Sequence, residues 1–187
     1  MNGPTWTAGI SGGGLSFDGL DDYVVVAGYQ GISGSGPRTC AFWLKTTADY
    51  ADILSWGRLL DDYGQYIPGQ KWQIVFYNEE LGALVQGGNV YCAAPELNDG
   101  QWHHVAVVLE DVDENGVVNI NEGRLYIDGS PRAVSHTNPY EVNTAAYNEV
   151  QLGRYPEGST SYLNGSLDDV RIYDRALSEQ EIEELSQ

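Results

Sequence analysis

Positive charge is scarce in this chain. Nine Lys and Arg face 27 Asp and Glu over 187 residues, a formal net charge of −18 at pH 7. Lys45 and Lys71 are its lysines. Nucleic acid and anionic membrane surfaces both require cationic patches, so neither is expected as a partner. Long apolar runs are missing too. Nothing approaches the roughly 18 residues of a membrane span, and no membrane insertion is expected. Met1 to Thr5 is polar and the stretch 9–14 is rich in glycine, so no signal peptide is visible. Met1 also suits the start of an excised module, and the missing signal therefore says little about location. Cysteine is limited to Cys40 and Cys92. They read either as one disulfide of a secreted protein or as two small buried hydrophobes, and spacing leaves both open. Two lone cysteines make a poor metal site. No His-Glu-x-x-His stretch occurs, and no repeat of about 20–50 residues marks a propeller or solenoid.

What the chain has is short alternating runs. In 38–46, Cys40, Phe42 and Leu44 share one face while Ala41 and Trp43 share the other. Apolar residues on both faces predict an inner strand of a two-sheet protein. Trp43 and Trp102 are assigned to the core. Residues 15–17 and 23–27 are expected to pair around the acidic turn Asp18-Gly19-Leu20-Asp21-Asp22. Further strands are expected at 52–57, 72–77, 80–86, 89–92, 103–109, 124–127, 150–153 and 167–173. Residues 2–13 read as a leader without regular structure, and His136 as a loop residue. Ser178 with Glu181 forms a capping box that opens a short C-terminal helix, Ile182 and Leu185 facing inward. A dozen short strands and one helix predict an all-β antiparallel sandwich, one domain over residues 1–187.

Five motifs then occur in order. They are Phe17-Asp18-Gly19 with Asp22-Tyr23-Val24, Phe42-Trp43-Leu44-Lys45-Thr46, Asp99-Gly100-Gln101-Trp102-His103-His104, Leu125-Tyr126-Ile127-Asp128-Gly129, and Leu167-Asp168-Asp169-Val170-Arg171-Ile172-Tyr173. Over roughly residues 15–185 this pattern resembles the laminin-G-like jelly-roll family of the concanavalin A-like lectin/glucanase superfamily. The resemblance implies two curved antiparallel sheets with the first and last strands side by side. It also implies a structural Ca²⁺ near that junction, at the matching positions Asp18, Asp22 and Asp168. A glycine turn flanked by carboxylates offers the oxygen donors such an ion takes. The acidic turn 111–116 is a lesser candidate for a second ion.

Glucanases of that superfamily place carboxylates on alternate positions of one strand, as Glu-x-Asp-x-x-Glu or Glu-x-Asp-x-Glu. No such run is present; Glu110 to Glu114 leads into a glycine turn without the alternation, so an enzyme is not expected. His103 and His104 diverge on a strand and cannot share an ion, and His104 is expected to be packed and hydrogen-bonded. The chain has 13 Tyr and 5 Trp but 3 Phe, a bias toward rings that carry a hydrogen-bonding end. A sugar surface is expected on the loops 56–72 and 153–164. Its aromatic residues are Trp56, Tyr63, Tyr66, Trp72, Tyr77 and Tyr155, and its polar ones Arg58, Asp61 and Arg154. The expected function is a non-catalytic, lectin-like carbohydrate-binding module of a larger secreted, bacterial, multi-domain protein. Its partner would be a polysaccharide or other glycan. The alternative is a protein–protein adhesion or spacer domain, with a glycoside hydrolase third.

Overall fold

The structure is a computed structural model and describes residues 3–155 and 161–187. Its strands, in chain order, are β1 Thr5–Ala8, β2 Gly13–Asp18, β3 Val24–Val25, β4 Arg38–Thr46, β5 Tyr50–Gly57, β6 Lys71–Tyr77 and β7 Glu80–Val85. There follow β8 Gly88–Ala93, β9 His103–Leu109, β10 Arg124–Ile127, β11 Ser130–Arg132, β12 Val134–Asn138, β13 Asn148–Leu152 and β14 Asn164–Tyr173. A 3₁₀ turn covers Ile120–Glu122, and the helix α1 covers Glu179–Leu185. One sheet has the order β1-β2-β14-β4-β9-β10-β11; the other has β12-β8-β7-β6-β5-β13-β3. The pairings are antiparallel, as a jelly-roll sandwich requires.

The two ends of the chain do lie side by side: β14 pairs with β2, Gly165 opposite Phe17 and Leu167 opposite Leu15. Between the sheets, Cys40, Phe42 and Leu44 of β4 meet Trp56, Trp72 and Phe76 of the second sheet. The indoles of Trp56 and Trp72 lie 5.6 Å apart and both are fully buried. Truncating either to Ala would cost about 3–5 kcal/mol. The outer face of the first sheet is closed as well. Ala41, Ala106, Val108 and Tyr126 pack under Leu177 and Ile182. The capping box holds that helix, Ser178 N donating to Glu181 Oε2 at 2.9 Å and Glu181 N to Ser178 Oγ at 3.3 Å.

Several local expectations are corrected. The stretch read as an unstructured leader contains β1, which pairs with β2 from Thr5↔Ser16 to Ala8↔Gly13. Residues 15–17 and 23–27 do not pair with each other. Val24 and Val25 pair with β13 in the second sheet, so the acidic turn is a corner between sheets. Two apolar runs beside a turn do not specify each other as partners when both can bury a face elsewhere. The strands β11 and β12 were not anticipated, because they are polar and carry no alternation to read. Trp43 and Trp102 are half-buried rather than core. Trp43 has the opposite parity to Phe42 and Leu44 and meets His104 edge-on, ring centroids 5.4 Å apart. Both cysteines are free thiols buried in the core, on strands of different sheets.

Candidate functional site

Strand alternation decides which residues of the second sheet face away from the core. On β6, Trp72, Ile74 and Phe76 point inward, so Lys71, Gln73, Val75 and Tyr77 point outward. Cross-strand register extends the outer rows. Ser55, Gln73, Leu84 and Asn89 form one; Asp52, Val75, Gly82, Tyr91 and His136 form the next; Tyr50, Tyr77 and Glu80 form the third.

This outer face has a closed half and an open half. In the closed half the polar groups are buried and joined to one another. Asp52 is 1 % exposed and accepts from Gln73 Nε2, while Lys71 Nζ donates to Gln73 Oε1 at 2.8 Å. Ser55 Oγ donates to the Arg154 carbonyl at 2.8 Å, and Arg154 Nε to Gln151 Oε1 at 2.6 Å. The Arg154 guanidinium lies 3.5 Å over the Tyr23 ring. Paired this way, the buried charges avoid the full cost of desolvation.

The open half is aromatic. Tyr50 and Tyr77 meet edge to face at 5.8 Å, and both rings are exposed. Gly82 sits directly across from Tyr91; a Cβ there would stand 2.2 Å from Tyr91 Cε1, so the absent side chain lets the phenol cross the strand. His136 stacks on Tyr91 at 4.6 Å with 18° between planes. Glu80 lies beside them, accepting from Ser135 Oγ at 2.6 Å and standing 3.4 Å from His136 Nδ1. Burial, with Asp52 adding, raises the Tyr50 phenol well above its ordinary range; burial, with Glu80 adding, raises that of Tyr91. Both hydroxyls therefore stay protonated, that of Tyr50 hydrogen-bonded to Asp52 and Ser161.

The residues expected to bind sugar do not form one surface. Trp56 and Trp72 are core residues, and Tyr155 is 4 % exposed beneath Lys71. The two indoles were misread because they sit at strand ends, yet their parity puts them in phase with Ile74 and Phe76. Arg154 belongs to the closed half. The loop after β5 carries Arg58, Asp61, Tyr63 and Tyr66. Arg58 pairs with Asp62 and lies 4.2 Å from the Tyr147 ring centre; Asp61 Oδ1 accepts from Tyr63 N at 2.9 Å and Gln65 N at 2.8 Å, so it shapes the loop. Tyr63 and Tyr66 are exposed there. Tyr77 is at the other end of β6, six residues and about 20 Å away. The middle of the 153–164 loop lies outside the described residues. Tyr50 and His136 were missed; the signal for Tyr50 was its alternation with Asp52, and His136 lies on a strand that has none.

The cation expectation is corrected in part. Among the described residues, Asp18, Asp21 and Asp22 bring one carboxylate oxygen each within 4.8 Å of the others. Backbone donation from Leu20, opposed by desolvation, leaves the Asp18 carboxyl below its ordinary value. Three hard oxygens on one corner fit Ca²⁺. Asp168 does not join them. The antiparallel register places Asn164 opposite Asp18, and Asp168 is four residues further along β14, about 13 Å away. It instead accepts from Ser11 N at 3.0 Å, tying down the β1–β2 turn. That turn, Gly9-Ile10-Ser11-Gly12-Gly13, has the Gly-x-Ser-x-Gly spacing, but in a hairpin rather than between strand and helix as a nucleophile elbow requires. In the 111–116 turn, Asp111 accepts from Asn115 N and Gly116 N, while Glu122 accepts from Asn119 N. His103 and His104 diverge as expected, but the buried His104 Nδ1 has no hydrogen-bond partner among the described residues, so that ring is packed without the hydrogen bond expected of it. The His103 ring lies between Asp128 and Asp99, at 2.8 and 3.2 Å on opposite nitrogens.

No helix among the described residues is long and apolar enough to cross a membrane. Comparison with known proteins agrees with the sandwich. A rat protein, Sushi, von Willebrand factor type A, EGF and pentraxin domain-containing protein 1, is 25 % identical over 179 residues, covering 94 % of this chain and 5 % of its own length. The mouse counterpart is 27 % identical over 121 residues, covering 64 % of this chain and 3 % of its own, so the chain spans a small fraction of either. Among solved structures, the CBM40 of the Ruminococcus gnavus IT-sialidase, bound to α2,3-sialyllactose, superposes with a TM-score of 0.67 at 16 % identity, covering 93 % of this chain and 96 % of that one. Domain 4 of AbnA, a GH43 extracellular arabinanase from Geobacillus stearothermophilus in complex with arabinotriose, gives 0.62 at 18 % identity, covering 98 % and 81 %. Mouse laminin α1 chain domains LG4-5 give 0.58 at 14 % identity, covering 94 % and 46 %. These likenesses describe the fold alone. The family itself is matched over residues 17–183, and the chain belongs to the laminin-G-like domains of the concanavalin A-like lectin/glucanases superfamily.

Proposed function

We propose that this chain is a non-catalytic, lectin-like carbohydrate-binding module of a larger secreted protein, and that its sugar surface is the open half of the second sheet's outer face. The observation that carries the reading is the cluster of Tyr50, Tyr77, Tyr91 and His136 around Glu80, on a sheet face that no helix among the described residues covers. Exposed rings pack against the C–H face of a pyranose or furanose, and a carboxylate and phenols read hydroxyls. Solved glycan complexes on the same fold, with sialyllactose and with arabinotriose, support the class. An exposed, wet site of this size binds weakly, and avidity in a multi-module parent offsets that.

Calcium completes the reading as a structural ion. Asp18, Asp21 and Asp22 would hold it, and when bound it neutralises the corner that carries the chain from one sheet to the other. The rival reading, an adhesion module, draws on the shared fold with laminin LG4-5 and on the protruding Tyr63 and Tyr66. Affinity electrophoresis against a panel of polysaccharides separates the two. Retardation that is lost in Tyr77→Ala and in His136→Ala, with circular dichroism unchanged, is the expected result. Retardation that survives both but disappears in Tyr63→Ala would move the site to the loop. Silence across the panel with a protein ligand found instead would support the adhesion module.

A further inference from the structure

We infer that the ligand is an uncharged saccharide of more than one ring, not a sialic or uronic acid; this rests on the glycan reading above. The argument begins from where the cations are. A sugar carboxylate is recognised by a guanidinium or ammonium, and Arg supplies the bidentate geometry. Of the nine Lys and Arg, five are in ion pairs with Asp or Glu. Arg38 is fully buried and donates to the carbonyls of Ile32, Gly34 and Gly36. Lys71 and Arg154 are engaged in the closed half of the face, on Gln73 and on Tyr23 with Gln151. Lys45 stands exposed, but on the outer face of the other sheet. Among the described residues, then, no Lys or Arg is available beside the open aromatic rings.

The charge that is available there is negative. Glu80 lies beside the stacked Tyr91 and His136 and directly across from Tyr77. A carboxylate accepts hydrogen bonds from sugar hydroxyls well, and repels a second carboxylate in a field already set by a net −18. Size follows from the register. Tyr50 on β5 and His136 on β12, both exposed, are four strand spacings apart, about 19 Å. One ring does not reach both platforms, so an oligosaccharide gains contacts that a monosaccharide cannot. This differs from the sialyllactose ligand of the CBM40 that shares the fold.

The test is affinity electrophoresis of the whole chain at about pH 8, above the range in which histidines ordinarily titrate. Neutral polymers (arabinan, galactan, mixed-linkage glucan, xylan) run beside polygalacturonate and polysialic acid. Retardation by at least one neutral polymer, unchanged by added salt and absent with both acidic ones, is expected. Competition by a neutral trisaccharide should exceed that by its monosaccharide at least tenfold. Glu80→Gln should weaken the neutral interaction about tenfold, the fold-change for trading a charge-assisted hydrogen bond for a neutral one. Retardation by the acidic polymers alone, fading as salt is raised, leaves the glycan reading standing and overturns this inference. Silence with both classes removes the glycan reading, and this inference with it.

Discussion

His103 and His104 are neighbours on β9, and they should couple stability to pH in opposite directions. Consecutive strand residues face opposite ways, so the two rings meet different surroundings. His104 shares the outer row with Ala106 and Val108, is 2 % exposed, and packs against Trp43. Burial pushes its imidazole down to about 4; Asp128 and Asp169 oppose the shift and Arg171 adds to it. Below the ordinary value of about 6.5 the unfolded chain therefore binds a proton that the native chain refuses, and stability is lost with acid. Two-state linkage puts the loss between pH 6.5 and 5.5 at about 1 kcal/mol, or about 2–4 °C in melting temperature for a chain of this size. His103 works the other way. Burial pulls it down, but the hydrogen bonds to Asp128 and Asp99 outweigh burial and leave it above its ordinary value. Its stabilisation is full below the unfolded value of about 6.5 and fades as pH rises through the higher folded value. Asp99 and Asp128 are about half exposed, so the pair contributes about 0.2–1 kcal/mol. Calorimetry at about pH 5.5, 6.5 and 8 on wild type, His103→Gln and His104→Gln separates them. The acid-side fall should be steeper than wild type in His103→Gln and should vanish or reverse in His104→Gln. An unchanged pH slope in His104→Gln, or a His103→Gln deficit equal at all three pH values, would refute the reasoning.

Three further outcomes are expected. Chelation should lower the melting temperature, by about 2.7 kcal/mol of stability where Ca²⁺ stood at 100 times its Kd. That response should disappear in Asp22→Asn and persist in Asp168→Ala, whose defect is the lost Ser11 contact; melting scans with and without chelator decide it. Burial pushes the thiols of Cys40 and Cys92 up to about 12 and about 11, so neither should react with a thiol reagent at neutral pH until the chain unfolds. A reductant that lowers the melting temperature would contradict the two free thiols. Ile182→Ala should cost about 2–5 kcal/mol in urea unfolding, since Ile182 is fully buried over the first sheet, and should leave glycan retardation intact.

The sequence carried the layer architecture because the features behind it are local. The alternation of Cys40, Phe42 and Leu44 marks an inner strand without reference to any partner, and Ser178 with Glu181 closes a capping box within four residues. The candidate site was only partly legible because it depends on pairing. Trp56 and Tyr50 are both aromatic residues near the ends of β5, six apart and so on one face of an unbroken strand, and the register shift between Asp52 and Leu54 is what sends one inward and the other outward. Asp168 looked like a partner for Asp18 because the terminal strands were expected to meet. They do meet, but in a register that offers Asn164 instead. His136 could not be placed at all from a polar strand whose position is set by its neighbour Tyr91.

The two sheets have unequal outer faces, and that inequality is what makes a ligand surface of one of them. On the first sheet, Ala41, Ala106 and Val108 form with Tyr126 an apolar floor on part of the outer face, and the C-terminal helix covers it. On the second sheet the outer rows mix polar and aromatic residues with Val75 and Leu84, and no helix among the described residues is laid across them. Half of that face is closed by a network in which Asp52, Gln73 and Lys71 satisfy one another, so its side chains are already spoken for. The other half holds the exposed rings of Tyr50, Tyr77 and His136, the last stacked on a Tyr91 phenol that fills the space over Gly82. Exposed aromatic area of this kind is costly to leave in water unless something binds it. A partner that is flat, hydroxylated and uncharged answers every feature at once: C–H faces for the rings, hydroxyls for Glu80 and the phenols, and no demand for a cation.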